Sequence, residues 1–169
     1  MKRVLLALLG ALALATPAFA QVEFRPPGGG FRLEFPGPFR VRVETTSTRF
    51  GNTRGTTAQL ERADGVKFYM QYFDYPPAAA QESPLKLLDG LKNGRIVKGK
   101  VRFEQRFELD GNWAQREIVD WEFGSRPVIV AFDVLRGLRL YSVFCIVERD
   151  QEALPEVKAF FDSFAMLPL

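Results

Sequence analysis

Three kinds of residue in this chain have the type and spacing to do chemistry: paired carboxylates, a glycine-bounded loop ending in lysine, and closely spaced tyrosines. Asp120 and Glu122 stand two apart in an alternating run, so both side chains leave one face of a strand. Glu104 and Glu108, four apart, likewise share one face. A carboxylate pair is the minimum for acid–base work on a glycosidic bond. Both pairs, however, have cationic neighbours such as Arg102 and Arg106, and in that company they read as surface ion pairs. Gly94-Arg95-Ile96-Val97-Lys98-Gly99-Lys100 has the spacing of a phosphate-cradling loop up to its lysine. It lacks the hydroxyl that should follow, because Val101 stands there. It would also join a helix to a strand, where the motif needs strand then helix. No nucleotide site is expected.

The chain contains no histidine. That removes the commonest general base and zinc ligand, and with it the Ser-His and Cys-His nucleophile systems. Cys145, the single cysteine, lies in an apolar run and is expected to be an inert buried thiol. No catalytic residue, metal site or cofactor is expected, and the chain is not read as an enzyme.

Two stretches remain as candidate binding surfaces. Lys92, Arg95, Lys98, Lys100 and Arg102 form a basic run around a helix-to-strand corner that could hold an anionic partner, with Lys98 and Lys100 the residues whose charge reversal would test it. The competing reading is a solvated edge whose charges discourage sheet-to-sheet aggregation. The stretch 66–75 is dense in aromatics, and Tyr72 and Tyr75 could offer a stacking platform for a ligand. The competing reading there is a buried strand.

The elements that must position these residues follow from periodicity. Phe31-Arg32-Leu33-Glu34-Phe35 and Phe39-Arg40-Val41-Arg42-Val43-Glu44 alternate about Pro36-Gly37-Pro38, which predicts two short strands on either side of a tight turn. The Thr-, Gly- and Asn-rich stretch 45–57 reads as a loop. Asp64-Gly65 signals a hairpin between strands over 59–62 and 66–75. Ser83-Pro84 supplies a cap and a first helical residue, Leu85, Leu88 and Leu91 share one face, and Asn93-Gly94 predicts the stop. Four strands with tight turns fill 100–148, an antiparallel meander. In the first of them Val101, Phe103, Phe107 and Leu109 share a face. The last, 140–147, is nearly continuous apolar sequence, the mark of a strand covered on both faces and hence of the sheet's centre. Over 152–166, Leu154, Val157, Phe160, Phe161 and Phe164 fall at helical spacing, an amphipathic helix to be laid on the sheet.

With 169 residues, 47% of them hydrophobic and sixteen of them Phe, the chain has material for one domain with a substantial core. Residues 1–20 combine Lys2-Arg3, an apolar run and Thr16-Pro17-Ala18-Phe19-Ala20, the pattern of a cleavable secretory signal. The apolar run is too short for a membrane anchor, which needs about 20 residues. Cleavage after Ala20 would remove two basic residues and leave 21 against 20 acidic ones, a net charge of +1. So balanced a chain carries no general bias toward nucleic acid. Residues 21–30, with Pro26-Pro27-Gly28-Gly29-Gly30, read as a flexible lead-in to a domain over 31–169.

The order of these elements resembles that of the PsbP-like domains. The resemblance rests on the strand-Pro-strand phrase Leu33-Glu34-Phe35-Pro36-Gly37-Pro38-Phe39, the middle helix, the long strands with Leu140-Tyr141-Ser142-Val143-Phe144 late among them, and the ending Phe161-Asp162-Ser163-Phe164. It implies an α+β fold, an αβα sandwich with an antiparallel sheet and helices on its faces, serving in binding or assembly. No functional residue carries over, since the metal sites of plant members use histidine. The expectation is therefore an exported, periplasmic or secreted, non-catalytic module that binds an envelope protein. The alternative is a small-molecule carrier whose ligand sits against the aromatic strand.

Overall fold

The apolar run 140–147 does lie at the centre of the sheet. In the computed structural model, which describes residues 21–97, 99–122 and 127–168, ten strands and two α-helices follow in order. They are β1 (Val22–Phe24), β2 (Phe31–Phe35), β3 (Arg40–Thr48), β4 (Gly51–Glu61), β5 (Lys67–Asp74), α1 (Pro84–Ile96), β6 (Gly99–Leu109), β7 (Asn112–Trp121), β8 (Val128–Arg136), β9 (Arg139–Val147), α2 (Pro155–Asp162) and β10 (Ala165–Met166). A 3₁₀ turn over Pro77–Gln81 precedes α1. Seven strands make one antiparallel sheet in the order β3-β4-β5-β9-β8-β7-β6. The expected meander accounts for β6 to β9.

Helix α2 and a small sheet, β1-β2-β10, cover one face of the large sheet, and α1 covers part of the other. This is the expected αβα sandwich. The core under α2 is aromatic: Phe160 meets Phe35 and Phe68 edge-on with ring centroids 5.2 and 5.1 Å apart, and Phe31 meets Tyr72 and Tyr141 at 5.3 and 5.6 Å. Edge-to-face pairs at these distances stabilise beyond the area they bury.

Six expectations need correcting. Residues 21–30 are part of the fold, which begins at Val22: β1 pairs with β2, Phe24 is buried, and the carbonyls of Gly28 and Gly29 accept from Arg139 Nη1 (2.7 Å) and the Tyr141 hydroxyl (2.9 Å). Gly28 and Gly30 adopt φ of +68° and +74°, which a side chain would resist. Second, β2 and β3 do not form a hairpin. Pro36 and Pro38 offer no N–H to a ladder, and Phe35 stacks on Phe39 at 4.5 Å as the chain crosses from the small sheet to the large one.

Third, the stretch 45–57 is no loop but the greater part of a long β3–β4 hairpin, in which β-branched Thr suits a pleated surface. Thr48 closes its turn by donating to the Gly51 carbonyl and accepting from the Phe50 amide. Fourth, α1 runs through Gly94 to Ile96, and Leu87 and Leu88 are the leucines it buries. Fifth, a bulge between Val101 and Phe103 splits the expected face of β6. Val101 packs with Val119 toward the α1 side, while Phe103 stands opposite Ile118 on the α2 side. Sixth, α2 is shorter than its apolar stripe. Ser163 stops it by donating to the Phe160 carbonyl and accepting from the Glu34 amide, which turns the chain into β10 beside β2.

No helix among the described residues is long and apolar enough to cross a membrane. The expected leader 1–20 lies outside the described residues, as do residues 123–126, which include all but Pro127 of the turn expected over 124–127.

Candidate functional site

Antiparallel register places Gln115, Asp133 and Ser142 side by side across β7, β8 and β9 on the face under α1, with Glu117 one step along the same face of β7. All four are essentially inaccessible to solvent. Helix α1 brings Arg95 down onto them. Its guanidinium grips Asp133 with two bonds, Nη1 to Oδ2 at 2.6 Å and Nη2 to Oδ1 at 2.7 Å, and also donates to Glu117 Oε2 (3.1 Å) and Ser142 Oγ (2.7 Å). Gln115 Nε2 donates to Asp133 Oδ2 and to the Leu88 carbonyl, and the Trp121 indole donates to the Arg95 carbonyl at 2.9 Å. The last bond holds the helix end in place beyond Gly94.

Burial alone would lower the pKa of the Arg95 guanidinium, but Asp133 and Glu117 together lift it above its ordinary value. Burial raises the Glu117 carboxyl, Arg95 opposes that, and Asp133 adds to it. One cation thus serves two anions, and Glu117 Oε1 and Gln115 Oε1 have no hydrogen-bond partner. The arrangement clamps α1 to the sheet. The guanidinium fills the space between the carboxylates, which excludes a substrate from between them. Sequence reading missed this cluster, although an arginine seven residues beyond Leu88, in line with Leu88 and Leu91, was a signal.

An accessible site lies on the opposite face. Between α2 and strands β6, β7 and β8 runs an open groove of about 460 Å³. Its floor and walls are Phe103, Ile118, Val130, Phe132, Val157 and Phe161, and charged side chains, among them Arg116 and Lys158, stand at its rim. Phe103 is 44% exposed, unusual for a ring on a strand. The bulge before it is what aims it into the groove. Arg116 lies 5.5 Å above both the Phe107 and Phe132 rings, which are stacked 6.1 Å apart. Its stem covers apolar surface while its charge stays at the groove's edge.

The residues singled out from sequence are not brought together. Tyr72 faces the α2 side against Phe31, while Tyr75 is buried beside α1, its hydroxyl donating to the Leu87 carbonyl at 3.4 Å. Burial, with Asp133 adding to it, pushes that hydroxyl up to about 12. Neither ring is a free platform. The ring that does stack openly on β5 is Tyr69, 4.7 Å from Phe144 at 9°. Lys100 is exposed opposite Asp120, and Lys98 lies outside the described residues. The basic run is dispersed: Lys92 pairs with Glu104, Arg95 is in the cluster, and Arg102 pairs with Asp120 and Glu152. The carboxylate pairs are ion-paired as expected where they have partners, Asp120 with Arg102 and Arg149, and Glu104 with Lys92 and Arg106. Burial pushes the Cys145 thiol well up, which keeps it inert.

No family model matches the sequence, and no curated protein matches it either. Solved structures do. The solution structure of cyanobacterial PsbP (CyanoP) from Synechocystis aligns over 94% of this chain and 98% of its own, with a TM-score of 0.57 at 9% identity. A crystal structure of a Pseudomonas aeruginosa protein of unknown function, titled a putative regulator, aligns over 88% of this chain and 99% of its own, with a TM-score of 0.46 at 12% identity. The sandwich of α1, the seven-stranded sheet and α2 with the small sheet is thus a PsbP-like fold.

Proposed function

We propose that this protein is an exported, non-catalytic binding module of the cell envelope, and that a partner protein inserts an apolar side chain into the groove between α2 and β6–β8. The observation that carries this reading is Phe103, a large ring held 44% exposed at the groove by a bulge, among Ile118, Val130, Phe132 and Phe161. Burying such a ring in a partner contributes about 1.5–3 kcal/mol, and apolar anchors in pockets dominate protein interfaces. The mixed charges of the rim suit a polar border that excludes water.

A small-molecule carrier is the second reading, favoured by the groove's volume and mostly apolar lining. The place first considered for a ligand, against the aromatic strand, is filled: Phe68 and Met70 of β5 are buried under Phe160 and its neighbours. A photocrosslinking residue in place of Phe103, tested in the exporting cell with Val97 as an exposed control outside the groove, separates the readings. A discrete protein adduct from position 103 and none from 97 supports docking. An adduct of small-molecule mass supports the carrier. No adduct from 103, or equal adducts from both, overturns the groove as the site.

A further inference from the structure

The two edges of the seven-stranded sheet are built differently. Edge strand β6 is broken by its bulge and lined with Lys100, Arg102, Glu104, Arg106 and Glu108, the features that keep edges from pairing. Edge strand β3 runs in unbroken register with β4 from Arg40 opposite Gln59 to Thr48 opposite Gly51, and its outer side has no strand partner among the described residues. It also exposes Val41 at 48% and Val43 at 55%, two of the four large hydrophobic side chains exposed among the described residues. An extended, regular edge with two exposed valines is a template for another strand, provided the register also accommodates the charges of Arg40, Arg42 and Glu44 on its other face.

We propose that the occupant is a second copy of this chain, with β3 pairing antiparallel to β3 about a two-fold axis through Val43. A two-fold perpendicular to the sheet keeps side chains of equal parity opposite one another, so the registers centred on Arg42, Val43 and Glu44 can be compared directly. Centring on Arg42 sets Arg42 against its own copy, and centring on Glu44 sets Glu44 against its copy; like charges directly opposite destabilise a sheet. Centring on Val43 sets Arg42 opposite Glu44 twice, Val41 opposite Thr45 twice, and Val43 opposite Val43. In that register opposite charges line the α1 side and apolar or β-branched residues the other, an isologous contact. Neither Arg42 nor Glu44 has an ion-pair partner among the described residues of its own chain. Arg42 donates to Gln59 Oε1 at 2.6 Å, and Glu44 accepts from Thr57 Oγ1 at 3.3 Å. The interface is separate from the groove, so either can fail without the other.

Sedimentation of the chain from 21 onward, at a series of concentrations, measures the dimer. Arg42→Glu and Glu44→Arg each create two like-charge pairs and should weaken it about tenfold or more, while the combined exchange restores opposite charges and should recover the affinity to within about threefold. Under oxidation, Val43→Cys should form an intersubunit disulfide and Thr46→Cys should not, because only position 43 meets its own copy across the axis. Cys145 is buried and does not compete. A chain that stays monomeric at every concentration overturns the proposal. So does a dimer insensitive to the single reversals, one not rescued by the exchange, or one crosslinked equally well through position 46.

Discussion

Replacing Arg95 with Met tests the clamp beneath α1. The side chain lengths are similar, so the change removes charge and donors with little loss of packing. Asp133 loses both of its guanidinium bonds, Glu117 its single one and Ser142 its donor, and both carboxylates sit where solvent does not reach. Breaking a buried pair from one side costs about 3–5 kcal/mol because the remaining charge is left uncompensated. With two carboxylates stranded, the upper half of that range applies, about 4–5 kcal/mol. For a domain of this size each kcal/mol moves the midpoint by about 2–4 °C, so Tm should fall by roughly 8–20 °C. The loss should also depend on pH. Burial raises the Glu117 carboxyl even with Arg95 present, so without it protonation becomes the route to neutrality. A carboxyl whose pKa is raised on folding favours the native state below the unfolded value of 4.5 and works against it as pH rises through the folded one. The gap between variant and parent should therefore narrow from pH 7 toward pH 4. Scanning calorimetry across that range is the assay. A Tm within about 3 °C of the parent at pH 7, or a gap that does not change with pH, would refute the reasoning.

Further expectations follow from the same geometry. Glu117→Gln leaves Arg95 matched one-to-one with Asp133 and keeps a carbonyl to accept from it. Tm at pH 7 should hold or rise and its pH dependence above 4.5 should flatten; a fall as large as that of Asp133→Asn contradicts this. Phe160→Ala removes a ring lodged between Phe35 and Phe68 and should cost about 3–5 kcal/mol in urea denaturation, with the slope unchanged. Gly99→Ala would bring a Cβ within 2.8 Å of the Asp120 carbonyl oxygen and of Trp121, and should cost about 1–3 kcal/mol because the backbone on that side cannot yield; an unchanged midpoint would show that β6 shifts freely.

The layers of the fold were legible where burial and period agree. The meander alternates, β9 is apolar on both faces because both faces are covered, and the stripe Val157-Phe160-Phe161-Phe164 belongs to the segment that packs on the sheet. The hairpin of β3 and β4 escaped because threonine and glycine look like loop residues until a long partner strand supplies their hydrogen bonds. The small sheet escaped because its strands come from distant parts of the chain, β1 and β2 near the start and β10 near the end, and only tertiary packing joins them. The buried cluster was hidden for a related reason. Nothing local marks Gln115, Glu117 and Asp133 as buried or reveals that α1 returns over them carrying Arg95. The groove likewise depends on a bulge, and alternation alone placed Phe103 with Val101.

The clamp also has a kinetic consequence. Its members come from α1, β7, β8 and β9, so Arg95 finds both of its compensating charges only after β7 and β8 are paired in register, and its last partner, Ser142, only once β9 has joined them. Until then α1, a helix with two interior glycines and little intrinsic persistence, gains almost nothing by forming. It should therefore assemble last and detach first, and its amides should exchange with solvent through a partial opening that leaves β7, β8 and β9 protected.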